Sequence, residues 1–243
     1  MINNYYTISK DTNYIAKDIF SLDHYWTNTI NDSLIFASLD EAKYYYYKIF
    51  QNLISLEEAE KIGITFKKIT NEDINLNQNK IKIGIDIGGV IIAKYNMGQD
   101  TSFFSENYLF SKAVNGAFET IKYLNKIFGA ENIFLISKCG NKLKEKTLKW
   151  LEFNNFYKIT GFLENNIYFC YDKESKVQIC KNLKISHFID DRDDVLWNMI
   201  GTVDHLLLFN PYFTSKYQDF CEPFKKMMGW RNIYYYFRNI NSN

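Results

Sequence analysis

The sequence predicts an α/β protein, a three-layer sandwich built on a parallel sheet, preceded by a small α+β domain. Three observations carry this expectation. Beyond residue 80, short apolar runs alternate with amphipathic helical patterns. Those runs are apolar on both faces, as strands covered by helices on each side must be. A polar, amide-rich stretch at 70–80 (TNEDINLNQNK) has little to bury and separates this pattern from what precedes it. The division is therefore placed at 1–78 and 79–243, and a chain of 243 residues is long enough for a small domain beside a medium one at roughly 100–200 residues per domain.

In chain order, 33–38 (SLIFAS) reads as a short strand. Residues 39–51 read as a helix capped by Ser38 with Glu41 three residues on, and 62–69 as another strand. The four tyrosines at 44–47 invite a stacking platform for bases or sugars. At helical spacing they point all round the helix, which favours ordinary packing. After residue 80 the strand-like runs are 82–87 (KIGIDI), 132–137 (NIFLIS), 166–170 (NIYFC), 186–190 (SHFID) and 205–209 (HLLLF). Helical patterns lie at 112–128, 142–153, 174–183 and 194–199. In the tail, Phe220, Phe224 and Met228 recur at helical spacing. Pro223 is tolerated only near a helix start, so a helix is expected from about Glu222. That helix either packs on the sheet or forms a contact surface for a partner or a second copy, making a homo-oligomer.

Composition narrows the function classes. With 29 Lys+Arg against 28 Asp+Glu, the net charge of +1 gives no electrostatic case for a nucleic-acid partner. No run approaches the eighteen or so apolar residues of a membrane span, and the N-terminus lacks a basic, then apolar, leader. A cytoplasmic protein with no membrane partner is expected. Cys139, Cys170, Cys180 and Cys221 form no C-x-x-C pair and read as reduced, buried thiols. The three histidines have no partner at metal-ligand spacing.

In a parallel sheet the chemistry sits at the carboxyl ends of the strands. Those ends carry Asp86 with Gly88 and Gly89, then Ser137 with Lys138, then 172–176, then Asp190, Asp191 and Asp194. Paired aspartates directly after a buried strand repel one another and need a cation or hydrogen bonds to coexist; the bland alternative is that they cap the next helix. Asp86 and the acidic pair suit a Mg²⁺ ion, which prefers oxygen ligands. Ser137 and a lysine suit the remaining oxygens of a phosphoryl group. Asp86 would then attack phosphorus and form an aspartyl-phosphate that water hydrolyses.

In this order, IKIGIDIGGVI, IFLISK, ESKVQIC and HFIDDRDDVL resemble the four motifs of the haloacid dehalogenase superfamily of phosphohydrolases, over about 81–210. The resemblance implies a Rossmannoid fold and a Mg²⁺-dependent phosphatase. It makes Asp86 the nucleophile and a metal ligand, Gly88 a metal ligand through its carbonyl, and Asp190 and Asp191 the rest of the metal site. Ser137 and Lys176 would contact phosphate, with Lys173 the substitute for the latter, and Asp194 would support the site. Arg192 would meet a substrate anion or pair with a neighbouring acid.

The sequence departs from the family at one place. Phosphatases of this kind carry a second Asp two residues after the nucleophile as general acid and base, and here that position is Gly88. A positioned acid or base contributes about 10² to 10⁴ in rate. Its absence implies slow turnover, a good leaving group, an acid supplied by Asp100 or Glu106, or a catalytically silent binding or regulatory protein on the same scaffold. The glycine pair also resembles the phosphate loop of sugar kinases and actin-like ATPases, but no G-x-G follows anywhere. Neither 90–111 nor 139–172 leaves room for the family's cap domains. The site is expected to be open, which suits a macromolecular phosphorylated substrate unless the N-terminal domain, the tail or a second subunit covers it.

Overall fold

The computed structural model describes residues 4–27, 30, 33–36, 38–50, 56–70, 81–94, 105–211 and 223–241. The contacts divide the chain into two units, one formed by 1–78 with 237–243 and the other by 79–236. No helix among the described residues is long and apolar enough to cross a membrane.

In the first unit an antiparallel sheet runs in the order β3-β2-β1-β4, from β1 (Asn4–Lys10), β2 (Asn13–Lys17), β3 (His24–Thr27) and β4 (Ile64–Thr70). Asp11, at φ 54°, turns β1 tightly into β2, with Lys10 paired to Asn13. Helix α1 (Leu39–Phe50) is opened by Ser38, whose hydroxyl accepts from the Glu41 amide at 3.1 Å. A shorter α2 (Leu56–Lys61) follows. Tyr46 is fully buried in a core with Ile8, Ile15, Phe36 and Ala42, while Tyr44 is exposed, as helical spacing requires. Of the strand expected at 33–38, the described residues 33–36 form instead a looser tie. Phe36 bridges Tyr6 and the Leu34 amide bonds the Ile15 carbonyl, so two apolar side chains are seated without a ladder.

The second unit is built on a six-stranded sheet in the order β10-β9-β8-β5-β6-β7, parallel throughout. Its strands are β5 (Ile83–Ile85), β6 (Ile133–Lys138), β7 (Ile167–Cys170), β8 (His187–Asp190), β9 (His205–Phe209) and β10 (Lys225–Met227). The helices are α3 (Ala117–Phe128), α4 (Asn141–Phe153), α5 (Phe156–Thr160), α6 (Lys173–Leu183), α7 (Asp193–Leu196) and, as far as residue 236, α8 (Trp230–Asn241). Phe134, Ile136, Phe188, Leu206 and Leu208 point into one core with Cys180 of α6 and with Val195 and Leu196 of α7. Towards the other side Phe209 meets Trp230, Tyr123 of α3 meets Tyr234, and Thr120 bonds the Trp230 carbonyl. Helices thus cover the sheet in a Rossmannoid-like α/β arrangement.

Two expectations in this unit change. The helix expected from 112 begins at Ala117, after Gly116 at φ 81°. Residues 112–114 run extended because the Ala93 and Val114 amides pair this segment with 91–93. In the tail, Glu222 lies outside the described residues, and the chain that follows it is not the expected helix. Lys225–Met227 pairs parallel to Leu207–Phe209, Phe224 is buried, Met228 is exposed, and the helix begins only at Trp230. Covering the open hydrogen-bonding edge of β9 outweighs the spacing of three apolar residues. Between β6 and β7 the described chain holds only α4, α5 and a short 3-10 turn (Glu164–Asn166), an ordinary crossover.

Candidate functional site

From β5 the chain moves to β6 and β7 on one side of the sheet, then returns to β8, β9 and β10 on the other. The gap between β5 and β8 is therefore the point where the connections diverge, and a crevice opens at its carboxyl end. Register fills that crevice. Ile85 pairs with Ile189 and the Asp86 amide bonds the Ile189 carbonyl at 2.9 Å, so Asp86 and Asp190 leave adjacent strands side by side.

Lys176 comes to meet them from the first turns of α6. Asp172 sets that helix by accepting from the Ser175 amide at 2.7 Å, and hydrogen bonding to Ser175, through its side chain first and its amide second, lowers the Asp172 pKa. The Lys176 side chain is 1% exposed and lies 5.0 Å above the Phe188 ring. Its Nζ donates to Asp86 Oδ1 and to Asp190 Oδ2, both at 2.7 Å. Burial works to lower the Lys176 pKa, but the two carboxylates overcome it and hold the ammonium above its ordinary value. Burial, then the neighbouring Asp86, pushes the Asp190 carboxyl up, with Lys176 pulling the other way.

Asp191 completes the group. One oxygen from each of Asp86, Asp190 and Asp191 lies within 4.8 Å of the others. Asp191 Oδ2 pairs with Lys94, whereas its Oδ1 is buried with no hydrogen-bond partner, and burial raises the Asp191 pKa. Gly89 permits this packing. It sits at φ 88°, and a Cβ there would strike the Asp191 carboxylate and come 2.6 Å from Lys94 Cε. Gly88 is the opposite case, since a Cβ built on it meets nothing within 4 Å.

Ser137 is buried near the end of β6, beside β5. Asp194 is not part of the cluster. It is held by Arg192 (2.6 Å) and Lys173 (2.6 Å), and those hydrogen bonds push its carboxyl far below the ordinary range. Lys173 and Arg192 are thereby directed to Asp194, while Lys176 alone of the three is buried among the acids. Glu106 lies exposed in a turn outside the cluster, and Asp100 falls outside the described residues. Sequence reasoning missed Lys94. The only signal available was a lone cation closing the short apolar run VIIA after the glycine pair.

The donor set fits a divalent cation. All three side chains offer oxygen, the preference of a hard ion, and an unpartnered buried carboxylate oxygen faces a cost that a cation would remove. With all three carboxyls ionised, they face two ammoniums, of which only Lys176 is buried, and the group carries an excess of negative charge that a cation would offset. The coarse conclusion is a buried acidic cluster able to coordinate a metal ion at the crevice of a Rossmannoid-like sheet. No model of a known protein family matches the chain, and no curated protein matches it either.

Proposed function

We propose that the chain is a Mg²⁺-dependent phosphohydrolase of the haloacid dehalogenase type, acting on a phosphomonoester through an aspartyl-phosphate. One observation carries this reading: the convergence of Asp86, Asp190 and Asp191 around a partnerless carboxylate oxygen, with Lys176 bridging two of them. Mg²⁺, held by the three aspartates and the Gly88 carbonyl, would draw charge from the phosphoryl oxygens and offset their repulsion by the carboxylates. Asp86 attacks phosphorus, the bond to the ester oxygen breaks, and the leaving group departs with that oxygen. Water then cleaves the acyl phosphate and restores the carboxylate. Lys176 orients the nucleophile through its 2.7 Å bond and, with Ser137, meets the phosphoryl oxygens.

At Gly88 the chain has no acid to protonate the departing oxygen. Aryl phosphates, whose leaving groups need little protonation, are therefore better substrates than alkyl phosphates. The same missing acid favours one alternative, a binding or regulatory protein that uses the site without turnover. A screen of phosphomonoesters with and without Mg²⁺, run on wild type and Asp86→Asn, separates the two. Hydrolysis that needs Mg²⁺ and falls on the order of 10³-fold or more in the variant is expected. Equal rates in the two proteins would leave the non-enzymatic reading.

A further inference from the structure

Beside the acidic cluster lies a cleft of about 460 Å³, within the range of small-ligand sites. Asp191 and Gly89 are among its lining residues, so it borders the cluster through Asp191. One wall is the segment following Gly89, locked to 112–114 by hydrogen bonds from Ala93 to Lys112 (3.0 Å) and from Val114 to Ile91 (2.7 Å). A second wall is the end of β9, where the Asn210 amide bonds the Met227 carbonyl at 2.9 Å. Both walls are therefore fixed by backbone pairing.

Two ammoniums line this cleft, and they are not equivalent. Lys94 is engaged by Asp191. Lys112 is exposed at the cleft and, among the described residues, pairs with no carboxylate. Asn115 adds an exposed amide beside it. A cation without a counter-charge, carried on a backbone-paired segment that lines the same cleft as Asp191, would attract a second anionic group on a ligand bound there.

We infer that the cleft receives the leaving group of the substrate, and that Lys112 makes the preferred substrate a compact phosphomonoester carrying a second anionic group. The inference rests on the phosphatase reading, deepens it to a substrate class, and replaces the bulky substrate that an uncapped site invites. Lys112 acts in selection, and the group that it binds stays with the departing oxygen when the phosphorus–oxygen bond breaks.

The test is equilibrium binding by calorimetry to the Asp86→Asn protein in Mg²⁺, comparing 4-carboxyphenyl phosphate with phenyl phosphate. The carboxylated ligand is expected to bind about fivefold tighter or better, the gain of one charge-assisted contact in a partly open site. Lys112→Ala in that background should erase the preference, and Lys112→Arg should keep it. Lys149→Ala, which removes an exposed charge from α4, should also keep it, which separates a local contact from the general field. A preference that survives Lys112→Ala, or no preference at all, overturns the inference. Should wild type hydrolyse neither ester while binding still discriminates through Lys112, the phosphatase reading fails and the cleft's selectivity stands. Asp86-dependent hydrolysis with no effect of Lys112 overturns the cleft's selectivity and leaves the phosphatase reading standing.

Discussion

Gly88 and Lys176 are the two residues on which the proposed chemistry turns, and each makes a prediction at its own scale. A Cβ at Gly88 meets nothing within 4 Å, and the position lies outside the left-handed backbone region, so a side chain can start there without a Cβ clash or backbone strain. Gly88→Asp is expected to raise turnover of alkyl phosphates by roughly 10- to 100-fold, a share of what a positioned acid contributes. The gain should be smaller for aryl phosphates, whose departing oxygen needs the proton less. Unchanged ratios of the two rates would show that proton supply is not what limits the site. Lys176, in contrast, has a structural role beside the proposed chemical one, since its buried ammonium pairs with two carboxylates. Removing one partner of a buried ion pair costs about 3 to 5 kcal/mol, because the charge left behind is uncompensated. Lys176→Met is expected to lose stability of that order in urea unfolding and to regain much of it in saturating Mg²⁺. A loss below about 1 kcal/mol would mean that the two carboxylates do not depend on the ammonium.

At the scale of elements, the foot of the β8–β9 pair holds a second titrating feature. His187 and His205 stack with ring centroids 4.3 Å apart, the His187 Nδ1 lies 2.9 Å from the Ser186 hydroxyl, and the Tyr236 ring packs edge-on. Burial first, then the His205 ring, pushes the His187 pKa down from 6.5 to about 3. A depressed pKa stabilises the fold above the unfolded value of about 6.5, and that contribution is lost as pH falls towards the folded one. The raised carboxyls of Asp190 and Asp191 act with the opposite sign, so the difference between proteins is the quantity to read. Urea unfolding of wild type and His187→Gln at about pH 7.5 and about pH 5 is expected to show a steeper acid loss in wild type. Parallel curves would contradict a buried neutral ring.

The elements also show what a sequence can carry. Strands β5, β6, β8 and β9 were legible because each is a short run apolar on both faces and closes on a polar residue, and that closure also exposed Asp86, Ser137 and the Asp190–Asp191 pair. β1 to β3 were not, since their runs mix tyrosine, asparagine and lysine, and the buried positions include the polar Thr7 and Ser9 beside Ile8; the tight turn at Asp11 was the usable clue. β10 was hidden for a different reason. Phe220, Phe224 and Met228 satisfy a helical period, but the uncovered edge of β9 lies outside that local pattern and decides the outcome. Lys94 illustrates the same limit inside the site, because its partner Asp191 is brought to it only by the packing of the glycine pair.

For the molecule as a whole, a sheet whose connections diverge between β5 and β8 gathers three acids at the point of divergence. The first unit, formed by 1–78 with 237–243, contributes none of them. In the proposed reaction Asp86 must both face a cation and stay available to phosphorus, so the cation itself is the part of the chemistry to look for. The most direct measurement is a crystal structure of the protein grown in Mg²⁺. Density is expected for one ion bound by Asp86, Asp190 and Asp191, with oxygen distances of about 2.0 to 2.1 Å. Carboxylates that face only Lys94, Lys176 and water at saturating Mg²⁺ would contradict the proposed chemistry.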